Sequence, residues 1–197
     1  MNKRNVLLAA LTGAAASLSS AVLAQSRAKS NTGPALLTVS GLIGAGNRGP
    51  LDPALDQLMS KQKVAFTVAH AFDFAALGSL PSIRIKPTLE YDKKQHTLAG
   101  PLFVDVMRAT GAKIGASTSF LVRAIDGYAV VLSASEATER RFILATHLDG
   151  RPMGLGGLGP VWAVYEADRF ADMAAKPVNE RFSLCPWATY HIEVKAA

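Results

Sequence analysis

The sequence predicts an α+β domain, mostly β with short helices. Three observations carry that expectation. Short β-rich runs recur along the chain, several of them next to turn residues such as Gly, Pro or Asp. Two of them, Phe120–Ile125 and Ala129–Leu132, meet at Asp126-Gly127, a residue pair that favours a tight hairpin turn. No segment repeats, and many short strands with only two or three short helices indicate an α+β or mainly-β domain.

In chain order, the first segment reads as an address. Lys3 and Arg4 precede an apolar and small-residue run, Val6 to Ala24, which ends with Val22 and Ala24 where signal peptidase prefers small side chains. The expectation is a cleaved secretory signal peptide over residues 1–24 and a periplasmic mature chain, with a retained membrane anchor as the rival reading of the same run. No cysteine follows the run, which excludes a lipoprotein anchor. No second apolar segment approaches the roughly 20 residues that a membrane span needs. Residues 25–34 are small and polar and read as a disordered lead-in. Residues 35–197 form the domain.

Within it, Ala35 to Ile43 is the first strand, and Gly44 to Pro53 is turn chemistry throughout. Val64 to Ala69 alternates like a strand. Asp73 is a credible cap for a short helix ending at Gly78, with Phe74 and Leu77 on its apolar face. Ile83 to Tyr91 is a strand with Ile83 and Ile85 on one face and Arg84 and Lys86 on the other. Pro87 makes it an edge strand or a bulged one. Pro101 suits a first helical turn, and the helix runs Leu102 to Thr110 on a stripe of Leu102, Val106 and Met107 until Gly111 stops it. After the hairpin, Glu136, Glu139 and Arg140-Arg141 read as a solvated turn. Phe142 to Thr146 is a strand, Val161 to Tyr165 another, Ala167 to Ala175 a short helix, and Tyr190 to Val194 the closing strand.

The stretch between those two later strands is the most unusual. Leu144 to Trp162 turns at Asp149-Gly150, passes Arg151-Pro152, and carries Gly154, Gly156, Gly157 and Gly159. Glycines without Cβ let a backbone approach a ligand closely, and they also make a flexible hairpin loop. A phosphate-binding loop is not the answer: the Gly-Lys-Ser/Thr ending and the following helix are both missing.

Composition narrows the function classes. The chain has 197 residues, 49% apolar and 18% charged, enough for a sizeable core and wrong for a disordered protein. Its formal charge of +6 falls to +4 without Lys3 and Arg4. The basic residues are scattered with no interleaved aromatic stripe, so nucleic acid is not the expected partner. A small anionic ligand or an acidic surface fits better. The single Cys185 cannot form an internal disulfide and is either a buried small hydrophobe or a free thiol near a site. His70, His96, His147 and His191 lack metal-ligand spacing, so no metal site is expected. Ser135 and Ser183 lack a nucleophile motif, and no catalytic residue is assigned.

Taken in order, several short motifs together resemble the molybdopterin-binding domain of the sulfite oxidase family in a small single-domain form. They are Thr38–Gly41, Leu80-Pro81, Gly100–Phe103 with Gly111, Asp126-Gly127-Tyr128, Asp149–Pro152, Gly159–Trp162 and Trp187–Val194. The resemblance covers nearly all the chain from about Thr38. It implies a sulfite-oxidase-type fold and, in the catalytic members, a molybdenum held by a cysteine thiolate in the region of Ile83–Thr88. This sequence has Ile-Arg-Ile-Lys-Pro-Thr there, and Arg or Lys cannot replace a soft thiolate. The resemblance is therefore closer to small exported relatives that have lost the metal ligand and bind pterins. Those regulate a membrane-bound cyclic-di-GMP enzyme through its periplasmic domain.

For such a chain the expected ligand is a free pterin, with molybdopterin less favoured. A pterin is flat with a dense donor/acceptor edge, so it needs an aromatic wall and a few polar partners. Trp162 and Trp187 are the wall candidates, each open to plain core packing instead. Arg84, Lys86 and Thr88 occupy the region of the lost ligand, or else form a solvated strand face. Asp126 can accept from an aminopyrimidine edge or simply make its turn. Arg151 and Arg181 hold an anionic group or pair with acids, and Tyr128 reads as core. Two other functions stay open beside the pterin-binding regulator: a molybdopterin-dependent oxidoreductase, and an interaction module with no ligand.

Overall fold

The computed structural model describes residues 33–196, so the expected signal peptide and most of the lead-in lie outside the described residues. Eleven strands and five short helices are defined among them. The strands are β1 Leu37–Gly41, β2 Ala69–Phe72, β3 Ser82–Ile85, β4 Leu98–Pro101, β5 Thr118–Ala124, β6 Ala129–Ser133, β7 Ile143–Ala145, β8 His147–Leu148, β9 Arg151–Pro152, β10 Trp162–Val164 and β11 Thr189–Ala196. The helices are α1 Gln57–Lys61, α2 Phe74–Gly78, α3 Phe103–Ala109, α4 Ala134–Glu139 and α5 Ala171–Ala174. The expected α+β class, mostly strand, is what forms.

A five-stranded sheet in the order β2-β1-β11-β5-β6 is the frame. β1 runs parallel to β11, with Thr38 opposite His191, and the other pairings are antiparallel. Alternation along β1 sends Leu37 and Val39 to the core and Thr38 and Ser40 to the other face, and all four are buried. The core face packs against α3, where Phe103 meets Phe120 edge-on at 5.0 Å. The segment 44–68 covers the second face. Asn47 stitches it down by exchanging hydrogen bonds with the Ala71 backbone (2.9 and 2.7 Å). Phe66 stacks at 6.2 Å on His191.

A four-stranded sheet, β3-β4-β8-β9, and a two-stranded one, β10-β7, complete the domain. β3 is an edge strand that stops before Pro87, as that proline requires. β8 and β9 turn at Asp149 (φ 48°) and Gly150 (φ 78°), the two left-handed residues of a two-residue hairpin. Gly100 lets β4 lie directly on β7, since a Cβ there would collide with the Leu144 carbonyl.

Several expectations need correction. The alternating run 64–69 is not a strand: Val64 closes α1 by donating to the Met59 carbonyl (2.9 Å) and packs with Met59 and Tyr190, and β2 begins only at Ala69. Pro101 ends β4 opposite Ser82 rather than opening a helix, and Leu102 caps α3. Phe74 is 40% exposed, while Leu77 alone of the α2 pair is buried. Residues 134–139 are helix, not a loose turn. Ser133 and Glu136 form a reciprocal capping box there. The Arg140 that follows pairs with Asp172 at 2.7 Å and lies over the Tyr165 and Phe170 rings.

Candidate functional site

The β5–β6 hairpin, the segment after β3 and the approach to β11 converge on one rim of the five-stranded sheet. Together they enclose a cavity of about 310 Å³. Trp187, Tyr91 and Tyr128 line it along with the carboxylates of Asp126 and Glu90. Tyr91 and Trp187 also line a neighbouring basin of about 440 Å³, whose far wall is the backbone of Gly156 and Gly157. The glycine-rich loop thus borders a cavity, and Gly156 uses its freedom there with φ at 95°.

Each group is held from behind. The Asp126 Oδ1 accepts from the Tyr128 backbone N–H (2.9 Å) as the hairpin turn requires, leaving Oδ2 for a further donor. The Tyr128 hydroxyl donates to the Ser183 carbonyl (2.7 Å) and fixes the ring across the cavity. Burial, together with neighbouring Glu90, pushes the Tyr91 hydroxyl up to about 12, so it stays a neutral donor. Glu90 is hydrogen-bonded with the Tyr91 side chain, and neither it nor Asp126 has an ion-pair partner among the described residues. Two carboxylates with no cation beside them, set between aromatic faces, suit a flat ligand with a donor-rich edge.

The expected site residues divide. Asp126 and Trp187 come together here, and Tyr91, Tyr128 and Glu90 join them unforeseen. Tyr128 is 48% exposed, not core. Its position just past an Asp-Gly turn, at an open strand end, was the available signal.

Trp162 is a correction. It is 1% exposed and donates its indole N–H to the Cys185 carbonyl (2.9 Å), so no ligand reaches its face. Arg181 is a second. Its guanidinium is consumed by Asp168 (2.6 Å) and the Lys176 and Ala174 carbonyls (2.8 and 3.0 Å). Thr88 joins the same clamp, donating its backbone N–H to Asp168 (2.6 Å), and its role is to fix the chain after β3. Lys86 and Arg151 are exposed and line neither basin. Arg84 lines a separate cavity on the four-stranded sheet.

One arrangement imitates a hydrolase. Ser40 Oγ lies 2.9 Å from Nε2 of buried His191. The third member, however, is the Arg123 guanidinium, 3.1 Å from Nδ1, where a carboxylate would be needed. Arg only donates, so Nδ1 must accept and Nε2 must carry the proton. Burial, with Arg123 and Arg48 nearby, drops this imidazole to about 3. Such a histidine cannot take a proton from Ser40.

No protein-family model matches the chain, and no curated protein matches it. Among solved structures it is similar to the sulfane dehydrogenase SoxCD from Paracoccus pantotrophus, at 10% identity and a TM-score of 0.52. The overlap takes in 82% of this chain and 38% of that one, so this chain spans well under half its length. The fold is of the sulfite-oxidase type. At this identity the likeness speaks for architecture and not for chemistry.

A molybdenum cofactor bound as in the catalytic members of that fold would need a thiolate, and the residues do not supply one. Positions 83–88 hold no cysteine. The Cys185 thiol is 4% exposed, and burial raises its pKa far above the ordinary thiol range, against forming the ligating thiolate. Among the described residues no group of three or more His, Cys, Asp and Glu side chains is placed to hold a metal.

Proposed function

We propose that this chain is a pterin-binding regulatory protein on a sulfite-oxidase-type fold. The observation that carries the reading is the grouping of two carboxylates that pair with no cation among the described residues, Asp126 and Glu90, with three aromatic side chains around one cavity. The 2-amino and ring N–H groups of a pterin are adjacent donors, matched by a carboxylate such as Asp126 or Glu90. Trp187, Tyr91 and Tyr128 offer faces for the bicyclic ring. The ring fits the smaller basin, and a side chain at its far end would run along Gly156-Gly157 in the larger one.

The same reading places the protein in the periplasm and gives it a partner, the periplasmic domain of a membrane-bound cyclic-di-GMP enzyme. Its support is the motif resemblance and an apolar groove of about 550 Å³ beyond the glycine loop. Leu55 (81% exposed) and Leu155 (72%) stand at that groove. A large exposed apolar patch of this kind is usual at contact surfaces.

Titration with pterin, read by quenching of tryptophan fluorescence, tests the ligand. Saturable quenching is expected in the wild type. Asp126→Asn and Trp187→Leu should each weaken it at least tenfold, with the circular dichroism unchanged. Wild-type affinity in both variants and in Glu90→Gln, or stoichiometric molybdenum in protein purified from periplasm, overturns the reading.

A further inference from the structure

The outward face of the four-stranded sheet carries a second cavity, of about 630 Å³, and no residue lines both it and the aromatic site. Strand register explains why it exists. Arg84 on β3 lies opposite Ala99 on β4, and Ala99 lies opposite His147 on β8. Directly opposed residues of antiparallel strands project to the same side. The row therefore reads long cation, methyl group, imidazole, across about 10 Å at the usual strand spacing. The alanine leaves the gap. Ser82 and Thr97, two positions along the same face, bring hydroxyls to its edge.

The polar groups around this gap are donors. Arg84 has no ion pair or side-chain hydrogen bond among the described residues. The His147 ring is fixed from two sides: Phe74 lies 5.4 Å away, and Nδ1 is engaged by the buried Thr146 hydroxyl at 2.9 Å. That leaves Nε2 for a ligand, as an N–H donor when Nδ1 accepts from the hydroxyl. Asp149, next in sequence to the lining Gly150, is turned to other work, accepting from the Thr97 backbone N–H (2.8 Å) and holding His96 at 2.7 Å. No acidic side chain lines the cavity.

We infer that this cavity is a site for a small oxyanion, a carboxylate or phosphate group on a compact molecule, clasped between Arg84 and His147 over Ala99. The guanidinium supplies the charge and a forked pair of donors. The imidazole supplies the opposing donor, and the Ala99 methyl forms an apolar floor that accommodates the body of the molecule.

Calorimetric titration of the full chain with benzoate and with inorganic phosphate, at constant ionic strength, tests the site. At least one of the two should bind saturably and shift the NMR signals of Ala99 and His147. Arg84→Gln should weaken that binding at least tenfold. Ala99→Leu, which fills the gap without touching a charge, should do the same. Both variants should bind pterin as the wild type does, which separates this site from the aromatic one. Failure of both anions to saturate the wild type, undiminished binding in Arg84→Gln, or loss that follows Asp126→Asn instead, overturns the inference.

Discussion

Trp162 and Trp187 are the same side chain at two depths, and depth decides what each can do. Trp162 sits within the core with its N–H spent on the Cys185 carbonyl, whereas Trp187 is half-buried and lines both basins of the aromatic site. Trp162→Phe should lower stability by about 1–3 kcal/mol, through the orphaned carbonyl and the lost volume, in urea unfolding. Trp187→Phe should cost little stability and be felt in ligand affinity. Nothing local in the sequence separates the two residues. Asp126 differs: an Asp-Gly turn places its carboxylate at a strand end, and that much was legible. Acid should act through His191. Its ordinary value near 6.5 falls to about 3 on folding, so between those limits the unfolded chain holds a proton that the folded one excludes. Stability is then fully present above about pH 6.5 and declines as pH falls, by on the order of 4 kcal/mol by pH 3. Urea midpoints between pH 7.5 and 4.5 should follow that slope, and His191→Gln should flatten it. His96 works the other way. Asp149 and Asp92 raise its pKa, so its contribution is present at low pH and fades as pH rises through the folded value.

Elements whose signals are local were legible, and those defined by distant partners were not. The Asp73 cap accepts from Ala76 N–H at 2.7 Å as its position promised, and Gly111 ends α3 with φ at 81°. The β5–β6 and β8–β9 hairpins form at their Asp-Gly turns. By contrast β4 and β9 have neither alternation nor β-branched residues to announce them, and exist because β3 and β8 lie beside them. The run 64–69 had the pattern of a strand, but the tertiary pull of Met59 and Tyr190 on Val64 prevailed. The α4 capping box is masked in the sequence by the charged residues around it, which look like a solvated turn. Ser133→Ala should cost about 1 kcal/mol in urea unfolding, and restoring the cap with Ser133→Asp should recover most of it. Gly100→Ala tests the close approach of β4 to β7. It should cost about 2–4 kcal/mol or prevent folding, where the same change at open Gly154 should be nearly neutral.

At the scale of the whole molecule, the aromatic site and the Arg84 cavity are each built by strands far apart in sequence, so neither outlives the fold. The sheet order β2-β1-β11-β5-β6 puts β11 at the centre, joining a strand from the start of the domain to the hairpin in its middle. A chain cut before Thr189 should show no cooperative unfolding transition and should be degraded rapidly by protease. That central position also sets a clock. Roughly 150 residues separate the end of β1 from the start of β11, and a ribosome adding about 5–20 residues per second needs roughly 8–30 s to cover them. For all that time β1 has no partner on its central side, and the nascent chain waits in an open, threadable form until β11 emerges to pair with it.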